Sequence, residues 1–178
     1  VLNNEKECIT NDDISIIDDS DIIIVAVGRR RIVNETRTDL FMPNKNDVMD
    51  VCNSIKTHAP NAVILMVTNP SDDFAKLARE LTSCVVHSIG TDLDTARLRE
   101  LIHMKTSTPR REITSYVSGE HGENMIIHGT DDATAKECTR IAIDTISKKG
   151  ATIYAPAMSI VNEVRRIIEQ DKESEEKK

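Results

Sequence analysis

Aromatic residues are almost absent from this 178-residue chain: Phe41, Phe74, Tyr116 and Tyr154 are the only four, and there is no tryptophan. A stacking platform for single-stranded nucleic acid needs several exposed rings, so that class of binder is excluded. An excess of positive charge is missing too. The net charge is -7 and the sequence pI about 5.3, which argues against a general phosphate-backbone binder and leaves no expectation of a nucleic-acid partner. No apolar run approaches the roughly 18 residues that cross a bilayer, so no membrane partner is expected. The start, VLNNEKECIT, has neither the basic beginning nor the apolar stretch of a signal peptide. The four cysteines (Cys8, Cys52, Cys84, Cys138) lie far apart with no CxxC pair. This predicts a reduced, cytoplasmic setting with no disulfide framework and no metal site.

What remains is enough to fold. Charged residues make up 30% and the apolar set 39%, a balance that supports a packed core in one domain, or one domain and part of another. Ile22–Val27 (IIIVAV) is a continuous aliphatic run, which predicts a strand buried on both faces. VILMV (63–67), Cys84–Val86 and ITSYV (113–117) predict three more strands. Between and after them, apolar residues recur at helical spacing: Val48, Val51, Cys52 and Ile55, then Phe74, Leu77, Ala78 and Leu81. Cys138, Ile141, Ala142 and Thr145 repeat the pattern, as do Ile160, Val161, Val164, Ile167 and Ile168. Buried strands alternating with amphipathic helices mean βαβ units and a mostly parallel sheet. The terminal EQDKESEEKK reads as a solvated helical tail.

Charge is unevenly placed. Residues 1–21 carry seven carboxylates (Glu5, Glu7, Asp12, Asp13, Asp18, Asp19, Asp21) against Lys6 alone, a net of -6. Residues 29–37 carry Arg29, Arg30, Arg31 and Arg37 against Glu35, a net of +3. This basic segment follows a predicted parallel strand, at the carboxyl end where open α/β sheets bind ligands. It reads either as a solvated arginine turn or as the seat of a small anion.

Three short motifs carry possible chemistry. In GEHGEN (119–124), His121 is bracketed by glycines at a strand's end, open to close approach and able to pass a proton either way near neutrality. The same pattern also describes a turn histidine with no role. In DLDTARLR (92–99), Asp94 and Arg97 lie three apart and share a helix face. That spacing describes a surface ion pair of little energy. It equally describes a carboxylate that steadies the imidazolium of His121 beside a guanidinium that grips a substrate carboxylate. In VTNPSD (67–72), Asn69 precedes a proline and is kept out of helical geometry at a strand tip, with a cis bond open to it. Its amide could meet a substrate oxygen, or the segment could be a plain Asn-Pro turn.

The order of these motifs is more specific than any one of them. Strand-GRRR, TRTDL with Asn44, VTNPSD, LDTARLR, GEHGE and KGATIYAPA follow one another from about Ile9 to Lys172. In this order the chain resembles the lactate/malate dehydrogenase family. The resemblance implies an α/β fold: a Rossmann-like parallel sheet without its first βαβ unit over 1–89, then part of an α+β substrate domain over 90–178. It implies hydride transfer between NAD or NADP and a 2-hydroxy acid in a homodimer or homotetramer. His121 matches the acid/base and Asp94 its carboxylate partner, while Arg97 matches the clamp on the substrate carboxylate. Arg37 matches the arginine that polarises the carbonyl, and Asn69 the amide that touches substrate and nicotinamide ribose. Arg31 falls where an arginine favours a dicarboxylate, malate or oxaloacetate, and a glutamine favours lactate. Gly28 and Asn44 match positions lining the dinucleotide, and Thr152 the small residue above the substrate.

The chain also departs from the family. Its six glycines (28, 90, 119, 122, 129, 150) form no G-x-G-x-x-G turn, so the cradle for the pyrophosphate is not in this sequence. The family's closing antiparallel sheet is missing after Lys172. Arg30 stands where proline is usual, Asn34 where the loop often has glycine, Ser71 within the NPxD turn and Pro43 within a predicted helix. The abrupt joins fit a longer chain of which only ordered residues are given, better than a fragment or a degenerate homologue. A lactate dehydrogenase and a catalytically inactive α/β binding module are the alternative functions. A different Rossmann-like enzyme would leave His121, Asp94 and Arg97 unexplained.

Overall fold

A computed structural model of the chain describes residues 8–122 and 124–175, with side chains through 173. Glu5, Lys6 and Glu7 of the acidic stretch, and Glu123 of GEHGEN, lie outside the described residues. The first half is built from β1 (Ile22–Val25), α1 (Phe41–His58), β2 (Val63–Met66), α2 (Ser71–Leu81) and β3 (Val85–Ser88). The strands form one parallel sheet in the order β1-β2-β3, with Ile23 beside Ile64 and Ile64 beside Val86. Parallel neighbours need a crossover, and α1 and α2 supply the two. The second half runs α3 (Gly90–Thr106), an antiparallel hairpin of β4 (Tyr116–Gly119) and β5 (Met125–His128), α4 (Asp132–Lys149) and α5 (Tyr154–Glu175). The architecture is α/β, with a Rossmann-like parallel sheet.

Sequence spacing accounts for the packing. Val48, Cys52 and Ile55 of α1 and Phe74, Ala75 and Ala78 of α2 are buried against Ile23, Val25, Ile64, Met66 and Val86 on one face of the sheet. A second cluster joins Leu98 and Leu101 of α3 to Val117 of β4 and Cys138 of α4. Pro43 sits in the first turn of α1, where a missing N–H costs little because the carbonyl four residues earlier lies outside the helix. Asp131 caps α4 by accepting from the Thr134 amide (2.9 Å), and Gly150 ends it at φ 78°, the left-handed stop that glycine adopts at least cost. Asn34 also has a positive φ, 73°, a conformation asparagine adopts more readily than most residues.

Three expectations need adjustment. The IIIVAV run is not buried on both faces: β1 is a sheet edge, and Ile24 on its second face is 45% exposed. A continuous aliphatic run does not tell a central strand from an edge one. The strand expected at 113–117 lies at 116–119 instead. The hairpin partner β5, Met125–His128, was not anticipated, because four residues (MIIH) are too few to carry a period.

Candidate active site

All three parallel strands point their carboxyl ends into one cleft of about 300 Å³, the place where such sheets bind ligands. Gly28, Arg31, Arg37, Asn69, Arg97, His121 and Thr152 all line it. Asp94 and Asn44 do not; both stand behind its wall.

The β1 tip is shaped by Gly28 and Asn44. Gly28 has φ +89°, and a Cβ there would lie 2.6 Å from Asn44 Cγ. The buried Asn44 is spent on backbone: its Oδ1 accepts from the Arg29 amide (2.8 Å), and its Nδ2 donates to the Arg29 and Asn69 carbonyls (3.2 Å each). It braces the β1 tip against the β2 tip. Thr68 does the same through its hydroxyl, which donates to the Val27 carbonyl at 2.8 Å. Asn69 follows at the β2 tip, joined to Pro70 by a cis bond. Its Oδ1 is buried with no hydrogen-bond partner among the described residues. A buried amide oxygen with no protein donor is placed to accept from a ligand's donor.

The arginine segment sorts itself. Arg29 makes a two-pronged contact to Glu35, Nη1–Oε2 2.9 Å and Nη2–Oε1 2.7 Å, and Glu35 also accepts from the Ile32 amide (3.1 Å). The Arg29 hydrogen bonds hold the Glu35 carboxyl at about 2. Arg31 is half-buried and Arg37 is buried, both against the cleft. Five arginines and His121 line the cleft, and no carboxylate does so among the described residues. Such a lining attracts anions.

Asp94 sits 2% exposed on α3 between His121 and Arg97. His121 Nδ1 lies 2.5 Å from Asp94 Oδ2, and Arg97 Nη1 donates to Asp94 Oδ1 at 3.1 Å. Burial alone would raise the Asp94 carboxyl. The hydrogen bond from His121 and the charges of His121, Arg97 and Arg37 outweigh burial and hold it below the usual carboxylate range. With Nδ1 engaged, Nε2 is the ring nitrogen left for proton transfer. Thr152 enters from the α4–α5 connection.

Two further residues fix His121, and sequence reasoning missed both. The His121 amide donates to Asp72 Oδ2 at 2.6 Å. Gly90, first in α3, lies against the His121 side chain with no room for a Cβ. Asp72 sits in the turn already marked by Asn69, but no local signal ties it to a residue 49 positions away.

The sequence profile of the lactate/malate dehydrogenase NAD-binding domain matches residues 1–90. The chain belongs to the lactate/malate dehydrogenase family. A malate dehydrogenase of Archaeoglobus fulgidus is 31% identical over 169 residues, 88% of this chain and 57% of that protein. L-lactate dehydrogenase 1 of Clostridium acetobutylicum is 33% identical over 178 residues, 84% of this chain and 55% of that protein. The chain thus spans little more than half the length of these relatives. The solved Archaeoglobus fulgidus malate dehydrogenase in complex with NADH superposes with a TM-score of 0.77 at 30% identity, over 88% of this chain and 57% of that one. The Aeropyrum pernix malate dehydrogenase reaches 0.80 at 23% identity, over 87% and 57%, a likeness of fold. Both names, malate and lactate dehydrogenase, occur among these family members.

Proposed function

We propose that this chain forms the substrate-handling part of a nicotinamide-dependent 2-hydroxy acid dehydrogenase acting on malate and oxaloacetate. The observation that carries the reading is the His121–Asp94–Arg97 set at a cleft rimmed with arginine. In this reading residues 1–89 are the remainder of the dinucleotide-binding domain and 90–178 a partial catalytic domain.

The residues present fit the nicotinamide half of the cofactor: Gly28 gives close backbone approach and Asn69 Oδ1 awaits a donor. About 300 Å³ holds a small diacid beside a ring and not an entire dinucleotide. When bound, the nicotinamide would supply or accept the hydride at C2. His121 Nε2 gives the proton to the C2 oxygen in reduction and takes it back in oxidation, and Asp94 steadies the imidazolium through Nδ1. Arg97 grips the C1 carboxylate, Arg37 draws charge onto the carbonyl oxygen, and Arg31 takes the second carboxylate. Asn69 hydrogen-bonds substrate and ribose, and Thr152 closes the site from above. NAD is the favoured cofactor because the matched family domain is an NAD-binding one; NADP remains the alternative. A homodimer or homotetramer in the cytoplasm completes the proposal. Among the described residues no helix is long and apolar enough to cross a membrane.

A lactate dehydrogenase is the second reading, because relatives of that name match as well as those named malate dehydrogenase; a catalytically inactive binding module is the third. One experiment separates the three. Oxidation of NADH and NADPH is followed with oxaloacetate and with pyruvate, and the melting temperature with each dinucleotide, since a ligand of the native state raises it. Faster turnover of oxaloacetate supports malate. Preference for pyruvate supports lactate, and no turnover together with no thermal shift supports the inactive module.

A further inference from the structure

We infer that Asp72 is a positioning residue that fixes His121 by holding its backbone amide. The step rests on the dehydrogenase reading, but its geometry stands on its own. Asp72 is the second residue of α2, in the first turn, where the helix dipole favours a carboxylate. Its Oδ2 accepts from the His121 amide at 2.6 Å, a charge-assisted bond between the parallel-sheet half and the β4–β5 hairpin. Asp72 is therefore not spent on its own helix alone.

The consequence lies in what else the turn carries. Asn69, with its buried and unpartnered Oδ1, is three residues before Asp72 and separated from it by the cis Pro70 and Ser71. One turn thus sets both the amide that faces the substrate and the main chain of the acid/base. On its far side His121 is stopped by Gly90, so its backbone is held from Asp72 while its Cβ rests on α3. The ring is held by Asp94. Removing the Asp94 bond would free the ring, whereas removing the Asp72 bond would free the segment that carries it. Asp73 and Glu120 flank the same segment, and burial with the nearby Glu120 and Asp72 charges raises the Asp73 carboxyl. Without the amide as its partner, the Asp72 charge would face those two acids.

The test uses the whole chain labelled with ¹⁵N-histidine, which gives one amide resonance for each of the five histidines; His121→Gln assigns the one that matters. In the parent, the His121 amide is expected at low field and protected from exchange. Asp72→Ala should move it upfield and speed its exchange by roughly tenfold or more. In the same variant kcat for oxaloacetate should fall by roughly ten- to a hundredfold, the cost of misplacing a reacting group, with KM changed by less than about threefold. Asp72→Asn keeps an acceptor oxygen and should restore most of both readings. An unprotected His121 amide in the parent overturns the inference, as does an unchanged amide in folded Asp72→Ala or a KM that rises as kcat falls. Should the parent turn over neither oxaloacetate nor pyruvate, the dehydrogenase reading falls while the amide measurement still decides the role of Asp72.

Discussion

A Cβ built on Gly90 would lie 2.2 Å from the Cβ of His121 and 2.8 Å from its Cγ. Real side chains do not approach so closely, so Gly90→Ala must push the GEHG segment away or shift the start of α3. Either movement separates His121 from Asp94. The expected result is a fall of roughly a hundredfold in turnover with a loss of about 1–3 kcal/mol in stability, the ordinary cost of overpacking. Steady-state rates and urea unfolding of the same preparation check it. Parent-like turnover would mean that the segment yields without moving the ring.

The contrast between Gly90 and Arg97 shows where the sequence is readable. Arg97 and Asp94 are three apart on one helix, so their pairing follows from helical period alone, and the structure has it at 3.1 Å. Gly90 and His121 meet only because α3 and the β4–β5 hairpin pack together, and nothing local announces that. Asp72 and Glu35 were hidden in the same way: one is an ordinary acid in a helix first turn, the other a single carboxylate among arginines. The parallel sheet was legible because IIIVAV and VILMV are long enough to carry a pattern. The MIIH strand was not, and neither was the exposed second face of β1, since an aliphatic run looks the same at an edge.

Asp94 and the buried Glu163 make stability depend on acid. In Glu163 the hydrogen bond from Arg166 holds the carboxyl below its usual range against the effect of burial, helped by the charges of Arg166 and His87. In Asp94, burial is outweighed by His121, Arg97 and Arg37. Both folded-state values lie below unfolded ones near 4. Their stabilisation is therefore fully present above about pH 4–5 and is lost as pH falls through the folded values. Asp94→Asn should cost about 3–5 kcal/mol near neutrality by leaving buried cations without their anion, and its deficit against the parent should shrink on acidification. Urea midpoints from pH 7 to pH 3 for both proteins check the sign. A deficit that grows toward low pH would falsify it.

The cysteines should differ sharply in reactivity. Burial pushes the Cys52 thiol up to about 11, with Cys84 adding to it. Burial likewise pushes Cys138 to about 11, with the Asp94 charge adding to it. Cys8 is exposed, while Cys84 is buried with its Sγ 3.4 Å from the Pro60 carbonyl. Thiolate is the reacting form, so iodoacetamide at about pH 8 should label Cys8 alone in the native protein and all four cysteines in denaturant. Mass spectrometry of the alkylated chain reads the count. Rapid native labelling of Cys138 would show that the wall behind Asp94 opens.

Substrate choice should turn on Arg31 rather than on its neighbours. Three adjacent arginines line the cleft, but Arg29 already spends both prongs of its guanidinium on Glu35. Arg29→Gln should therefore leave the preference between oxaloacetate and pyruvate where it was. Arg31 is half-buried against the cleft, whereas Arg30 is exposed. A guanidinium that meets the second carboxylate of oxaloacetate gains a charge-assisted contact of about 1.5–3 kcal/mol. Pyruvate carries a methyl group there and makes no such contact. At about tenfold per 1.4 kcal/mol, a preference of roughly ten- to a hundredfold for oxaloacetate is expected. Arg31→Gln should abolish most of it by lowering kcat/KM for oxaloacetate and raising it for pyruvate. The decisive comparison is kcat/KM for both substrates in the parent and in the three single Arg→Gln variants. A switch seen only in Arg30→Gln would move the contact one residue along the loop, and a parent that prefers pyruvate would remove the dicarboxylate assignment altogether.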